Sequence, residues 1–560
     1  MTSIAGAVVR SGEFRRIEAL PRRRWEDDAK GWTTALERAL LVRPDPCGPD
    51  CVCPRTLWPA QAAALHDAIE ARGLVGPIGV GNGKGLLSML LPVVLRARRP
   101  LLLVPSSMRP IAIRVLAPMT ARHWRTHPAL EVRGHSELST VGNAGLLERI
   151  DPDVVVIDEA HAFSARGSAR TRRLGRFVAA RRAEGRPVIL VVLSGTLISK
   201  SIRDLCHLAE WSLGPGTPVP IPWCEAEDWA DALDEAPRDG RVVLPGALSR
   251  LCAEGEKPID GFRRRLLETP GVVGADGVDG VRASLRIRVS PGPAVPAEIR
   301  EAMARLRETW ELPDGHQLME RLDLWRHMRE LALGFWSRWD PPAPPVWLEA
   351  RKAWAAYVRQ EIGRRRGIDT EGQVKAACLV LGREAPAEWL AWAEIGPTFE
   401  PRSVPVWISD FAVRAAAAWL GDTGAPAGIV WSERPCFGEA VAREAAVRYY
   451  GAGDEAAVEI ETKASGPIVA SVDAHGTGRN LQFRWARNLC PAPWPGGKIW
   501  EQAIARTHRT GQPADEATWD VWTHAPELAD AWTDARANAR WIERTTGLRQ
   551  KLNFADVVGG

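Results

Sequence analysis

Between residues 74 and 196, four short and uninterrupted apolar runs alternate with longer stretches of helical period: LVGPIGV (74–80), PLLLVP (100–105), DVVVID (153–158) and PVILVVLSGT (187–196). Runs of that length without polar alternation predict strands buried on both faces of a parallel sheet, joined by helical crossovers. A second series, GIVWSE (428–433), PIVASVD (467–473) and TWDVWTH (518–524), is interleaved with helices in the same way. Between the two series, residues 250–400 are rich in Arg, Trp and Pro, and PAEIREAMARLRETWEL and PPVWLEARKAWAAYVRQEI have helical spacing. The run PPAPP (341–345) cannot continue a helix and marks a rigid break. Near the end, ELADAWTDARANARWIERTTG predicts a closing helix with Gly547 as its stop. The expected fold class is α/β, with two parallel-sheet domains in tandem and a helical insertion or bridge between them. The boundaries follow as an N-terminal extension (1–54), a first domain (55–250), the bridge (251–403), a second domain (404–525) and a C-terminal helix (526–560).

Composition narrows this only a little. A chain of 560 residues is too long for a single core. At 45% apolar and 25% charged it is ordinary for a globular protein. Its 73 basic and 69 acidic residues leave a net charge of +4, so any nucleic-acid affinity must come from local patches. The longest apolar runs, such as LLSMLLPVVL (86–95), are about half the ~20 residues a membrane-spanning helix needs, and the N-terminus lacks the pattern of a signal peptide. Nine cysteines, mostly scattered, fit a reducing cytoplasm. Cys47, Cys51 and Cys53 are close enough to ligate zinc with a fourth ligand from elsewhere. Their C-x3-C-x-C spacing is not that of a common finger, and an unliganded loop is the alternative.

Three stretches carry chemistry. In PIGVGNGKGLLS (77–88), Gly79, Gly81, Asn82 and Gly83 follow an apolar run and precede a helical one. In that setting backbone N–H groups and a helix N-terminus wrap phosphates, and Lys84 reaches the β- and γ-phosphates. Asp158 and Glu159 end the run DVVVID, at the carboxyl edge of a parallel sheet where ligands of such folds sit. There Asp158 can hold Mg2+ through its water shell, and Glu159 can orient or deprotonate a water attacking the γ-phosphate. Far downstream, QAIARTHRTGQ (502–512) sets Arg506 and Arg509 three apart, neighbours on one helical face. A guanidinium pair of that kind can neutralise phosphate charge developing across a cleft. The bland readings are a glycine-rich turn, a helix cap and a charged surface helix.

Taken in order, these stretches resemble the motor core of superfamily 2 helicases, and within it the Swi/Snf-related DNA translocases. Gln61 in TLWPAQAAAL resembles the family's adenine-reading glutamine, VPSSMRP (104–110) resembles the motif after the next strand, and Asp158-Glu159-Ala160-His161 is a DEAH box. Ser194-Gly195-Thr196 resembles the coupling motif. Residues 471–481, SVDAHGTGRNL, resemble the pattern A-G-G-x-G-L-N-L, from which His475 and Arg479 depart. The ending R-x-H-R-x-G-Q is the most specific match, with Ala505 replacing a glycine. The likeness covers roughly residues 55–215 and 404–525. The segment between resembles that of helicase-like proteins encoded by phages of high-GC bacteria.

The resemblance implies two RecA-like domains with ATP and Mg2+ in the cleft between them and DNA, double-stranded by preference, held across both. Gln61, Gly79, Gly81, Asn82, Gly83, Lys84, Gly85, Gly478 and Gln502 would bind nucleotide, with Asp158 on the metal. Lys84, Asp158, Glu159, Arg506 and Arg509 would act in catalysis, and His161, Ser194, Gly195 and Thr196 would couple the domains. The location implied is the cytoplasm, that of the bacterial host if the chain is phage-encoded. One position breaks the pattern: Gly85 stands where the family carries a Ser or Thr whose hydroxyl meets the metal, and Ser88, nearly a helical turn further on, cannot replace it. Weaker metal–nucleotide affinity is then expected. A nucleotide-binding scaffold without turnover is one rival reading, and the motor subunit of a restriction or defence assembly is another. ARGSARTRRLGRFVAARRAEGR (165–186) supplies Arg166, Arg170, Arg172, Arg173 and Arg176 as phosphate contacts that read no bases, with a solvated helix face as the alternative.

Overall fold

The computed structural model describes residues 4–23, 29–42, 55–199, 201–234, 242–275, 281–313, 318, 321–364, 368, 371–400 and 402–559. Cys47, Cys51 and Cys53 lie outside the described residues. In chain order the strands are β1 (Ile4–Ala7), β2 (Leu74–Gly76), β3 (Pro100–Val104), β4 (Glu131–Gly134), β5 (Val154–Asp158), β6 (Ile189–Leu193), β7 (Val242–Leu244), β8 (Ser284–Ser290) and β9 (Phe335–Trp339). They continue with β10 (Ser403–Trp407), β11 (Gly428–Ser432), β12 (Tyr449–Tyr450), β13 (Ile468–Ser471), β14 (Arg487–Cys490), β15 (Glu516–Trp522) and β16 (Asp556–Val558).

The first sheet is parallel, in the order β2-β6-β5-β3-β4. Strands β3, β5 and β6 are apolar almost throughout because both of their faces are covered, whereas the edge strand β4 (EVRG) is mostly half-buried. Val155 and Ile157 of β5 enter one core and Val154 and Val156 the other, and β3 and β6 divide in the same way. Strand β6 separates β2 from β5, so the loops after β2, β5 and β6 emerge together at one edge. Residues 258–275 belong to this unit. Ile259, Phe262, Leu266 and Val272 are buried in its core, and Val75 N donates to Gly271 O at 2.8 Å while Val273 N donates to Val75 O at 3.0 Å.

The second sheet is also parallel, in the order β12-β13-β11-β14-β15-β8-β16. One member, β8, falls inside the span that the sequence suggested is helical. Its sequence SLRIRVS alternates strictly: Leu285, Ile287 and Val289 are buried, while Arg286 and Arg288 face outward beside acidic partners such as Asp556 and Asp520. Strand β9 is the other departure, and it pairs antiparallel with β10. Helices Ala297–Thr309 and Arg321–Ala332 share a core with residues of the second unit, and the trio Pro345–Arg364, Glu371–Leu381 and Ala387–Ile395 closes over Trp354, Val358, Val374, Cys378 and Trp389. Several of the abundant tryptophans anchor the second core: Trp431 stacks on Trp519 (6.1 Å, 10°), and Trp494 and Trp500 close against Trp519.

The closing helix, Pro526–Thr546, joins the two halves. Trp532, Ala535 and Ala539 are buried in the second core, and Trp541 and Ile542 in the first. No described helix is long and apolar enough to cross a membrane.

Candidate active site

Strand β2 ends at Gly76, and the loop that follows reaches the helix Lys84–Val94 through Gly81 (φ 102°) and Gly83 (φ 67°), left-handed conformations that favour glycine. The loop is braced from behind. Gly79 N donates to Ala275 O (2.7 Å), as does Asn82 Nδ2 (3.3 Å), and a β-carbon at Gly195 would lie 3.2 Å from Gly79 Cα. The segment ending at Ala275 gave no sign in the sequence of supporting this loop. Lys84 is buried, with its ammonium donating to Ile78 O (3.1 Å) and Gly79 O (3.4 Å) and lying 3.7 Å from Glu159 Oε1. Gln61 closes the far side of the loop. Its Nε2 donates to Gly83 O (3.2 Å) and its Oε1 accepts from Trp58 N (2.9 Å).

Glu159 adopts a left-handed backbone (φ 52°) at the end of β5, an uncommon state for a non-glycine residue that turns its side chain toward the loop. Burial raises the pKa of both acids. For Asp158 the charge of Glu159 adds to this and the carboxyl is pushed up to about 7. For Glu159 the charge of Lys84, the hydrogen bond of His161 and the charge of Arg506 outweigh burial and hold it well below the usual carboxylate range. His161 Nδ1 meets Ser194 Oγ at 2.9 Å, Ser194 Oγ donates to Glu159 Oε2 at 3.2 Å, and Thr196 N donates to Ser194 Oγ at 3.1 Å. The DEAH box and Ser194-Gly195-Thr196 therefore form one hydrogen-bonded unit. Burial, with Lys498 nearby, lowers the pKa of His161, so its ring is neutral at pH 7.

The second half contributes the helix Gly497–Thr507. Arg506 lies in its last turn, but the helix ends at Thr507 because His508 leaves helical geometry (φ −100°, ψ 87°). Arg509 therefore sits in the following turn, and the expectation that both arginines share a helical face is corrected. They converge all the same: Arg506 NH1 and Arg509 NH1 donate to one acceptor, Arg479 O, at 3.0 and 3.3 Å. Burial, then the charge of Arg509, lowers Arg506 to about 9, while Glu159 opposes the fall. Gln502 accepts from Thr477 Oγ1 (3.1 Å), and its Nε2 is buried without a hydrogen-bond partner. Gly478 (φ 72°) passes so close to Met108 that a β-carbon would fall 1.9 Å from the sulfur. Sequence reasoning missed Lys498, in the first turn of the same helix, which feels the charges of Glu159 and Asp204 and which burial lowers to about 8.

Gly85 also has a structural partner. A β-carbon there would lie 2.9 Å from Leu116 Cδ2, at the end of the π-helical turn Ala112–Leu116. The groups present fit a magnesium–nucleotide complex: an acid at Asp158 that burial leaves under-compensated, a glycine cradle, an orphaned amide at Gln502, the buried guanidinium of Arg506 and the half-buried one of Arg509.

The basic stretch divides. Arg173 is buried and donates to Leu138 O (2.9 Å) and Thr140 O (2.6 Å), so it is a structural residue and not a surface contact. Arg181, Arg182 and Arg186 pair with acids, Asp151 and Glu210 among them, and Arg170 is half-buried. Arg166, stacked 4.0 Å over Trp223, lines with Arg172, Arg176 and Trp211 a groove of about 590 Å³. No protein-family model matches the chain, and no curated protein is similar to it in sequence.

Proposed function

We propose that this protein is an ATPase of helicase type, built on two RecA-like domains, that translocates on duplex DNA and couples hydrolysis to remodelling of DNA or of proteins bound to it. One observation carries the reading: a buried lysine 3.7 Å from Glu159 and a buried arginine from more than 300 residues away, Arg506, act on the same carboxylate. The ordered likeness to Swi/Snf-related translocases supports the choice of reaction and of DNA.

On this reading Lys84 exchanges the Ile78 and Gly79 carbonyls for phosphate oxygens. Glu159, kept ionised by its cationic neighbours, orients the attacking water and takes its proton. Arg506 and Arg509 neutralise charge that builds on the transferred phosphoryl group. Asp158 would hold Mg2+, which when bound supplies positive charge to the phosphates. The Ser194–His161 chain fixes Glu159 and links its state to the loop after β6. Arg166, Arg172 and Arg176 give phosphate contacts in the groove.

The test is phosphate release by the purified protein with Mg2+ and ATP, with and without duplex DNA. Turnover stimulated by DNA is expected, and Lys84→Ala or Glu159→Gln is expected to lower it by about 10²–10³-fold. Unchanged rates in those variants would sink the site assignment. Arg172→Glu with Arg176→Glu should lower the slope of log affinity against log salt by about 2 or more. An unaltered slope would return the groove to solvent. A second reading, nucleotide binding without turnover, is favoured by the leucine packed beside Gly85, and a silent wild-type protein would select it.

A further inference from the structure

The two departures from the family-like pattern at 471–481 are partners. His475 Nε2 donates to Gly451 O (2.8 Å), which leaves Nδ1 to accept from Arg479 Nε (3.4 Å). The Arg479 side chain is fully buried, and its far end reaches the other half of the molecule: NH2 donates to Ser107 O (3.1 Å) and NH1 approaches Met108 Sδ at 3.6 Å. The closeness of Gly478 to Met108 lets this junction form. Its own carbonyl, meanwhile, is the shared acceptor of Arg506 and Arg509. A buried guanidinium with no carboxylate in contact among the described residues is a costly feature, offset in part here by the charge of Glu461. Here it joins the helical turn Ser106–Met108 of the first half to both arginines of the second.

The same segment, helical from Ser106 to Leu116, continues to the phosphate site. Residues 106–116 run from Ser107, under Arg479, to Leu116, against Gly85 at the start of the lysine-bearing helix. A displacement at Gly85 therefore has a contiguous packed route through Leu116 and Ser107 to Arg479 and the arginine pair. We propose that Arg479, held by His475, is a positioning residue that sets the arginine pair against the first half according to the position of residues 106–116. The proposal rests on the ATPase reading for its catalytic consequence, but the mechanical link stands apart from it.

Two measurements on the full chain separate these. Hydrogen exchange without nucleotide reads the link directly. In Arg479→Leu, exchange is expected to speed about tenfold or more in both 104–109 and 476–511, with Arg479→Lys, which keeps one donor group, falling between. Faster exchange confined to 476–511, or none, would overturn the link. Steady-state phosphate release reads the consequence: kcat should fall by about tenfold or more in Arg479→Leu with the nucleotide Kd within about threefold, partly rescued in Arg479→Lys. A rise in Kd with unchanged kcat would overturn the positioning role. If the wild type releases no phosphate, the ATPase reading fails while the exchange result still decides the link. Should Arg479→Leu not fold, Arg479→Lys carries both measurements.

Discussion

Leu116 and Gly85 share a space that a hydroxyl-bearing side chain would otherwise enter. Gly85→Thr alone should overpack the contact and cost about 1–3 kcal/mol, read as a lower thermal midpoint. Adding Leu116→Ala opens the room, and the double variant should recover stability and reach half-maximal turnover at lower Mg2+ than wild type. A double variant with unchanged Mg2+ dependence would show that the metal is indifferent to position 85. The glycine itself was legible in the sequence as a departure, but its partner was not, because a contact between residues 85 and 116 belongs to tertiary packing. Arg173 shows the same limit. Its neighbours in the chain are surface arginines, and only the carbonyls of Leu138 and Thr140 reveal that it points inward.

The helix Gly497–Thr507 is supported from beneath by two buried residues of opposite charge, Glu501 and Lys551. Lys551 N donates to Glu501 Oε2 (2.7 Å), Lys551 Nζ lies 3.3 Å from His508 Nδ1, and burial lowers this lysine to about 8 despite the nearby Glu501. Lys551→Met should destabilise by about 3–5 kcal/mol because it strands the carboxylate, whereas Glu501→Gln with Lys551→Met should recover most of the loss. The sign of the pH effect follows. Between about pH 8 and the ordinary lysine value near 10.5, the unfolded chain binds more protons at this position than the folded one, so stability rises with pH across that window. Any advantage of the double variant over wild type should therefore be largest below pH 8 and shrink towards pH 10 in paired thermal melts. Among the elements, β3, β5 and β6 were legible because burial on both faces writes a continuous apolar run. Strand β14 (RNLC) has four residues, two of them polar, and leaves no such mark. The alternation of β8 was present in the sequence, but helical patterns on the C-terminal side drew it into the bridge.

At the scale of the whole molecule, the helix Pro526–Thr546 binds the halves together. Asn538 accepts from Gly497 N (2.9 Å) and donates to Ser199 O (2.7 Å), joining the start of the arginine-bearing helix to the loop beyond Thr196. Trp541→Ala should cost about 3–5 kcal/mol and split a single calorimetric transition into two, since it empties part of the first core from a helix rooted in the second. One merged transition in that variant would mean the halves are held chiefly by other contacts. The tandem arrangement of parallel sheets was readable from the two series of apolar runs, whereas the clamping role of the closing helix was not, because an amphipathic pattern does not say which cores its face will meet. The topology of β8 adds a further consequence. Among the described strands it bonds only to β15 and β16, which lie far downstream, while the described strands of the first sheet all come from residues 74–193. During synthesis the first half can complete its sheet as soon as that stretch has left the ribosome, while β8 remains with two open edges and an apolar face until the distal strands arrive. That interval, with its exposed strand, is when chaperone capture or wrong pairing has its opportunity, so slower translation beyond residue 290 should lower the yield of folded protein more than slower translation before residue 74.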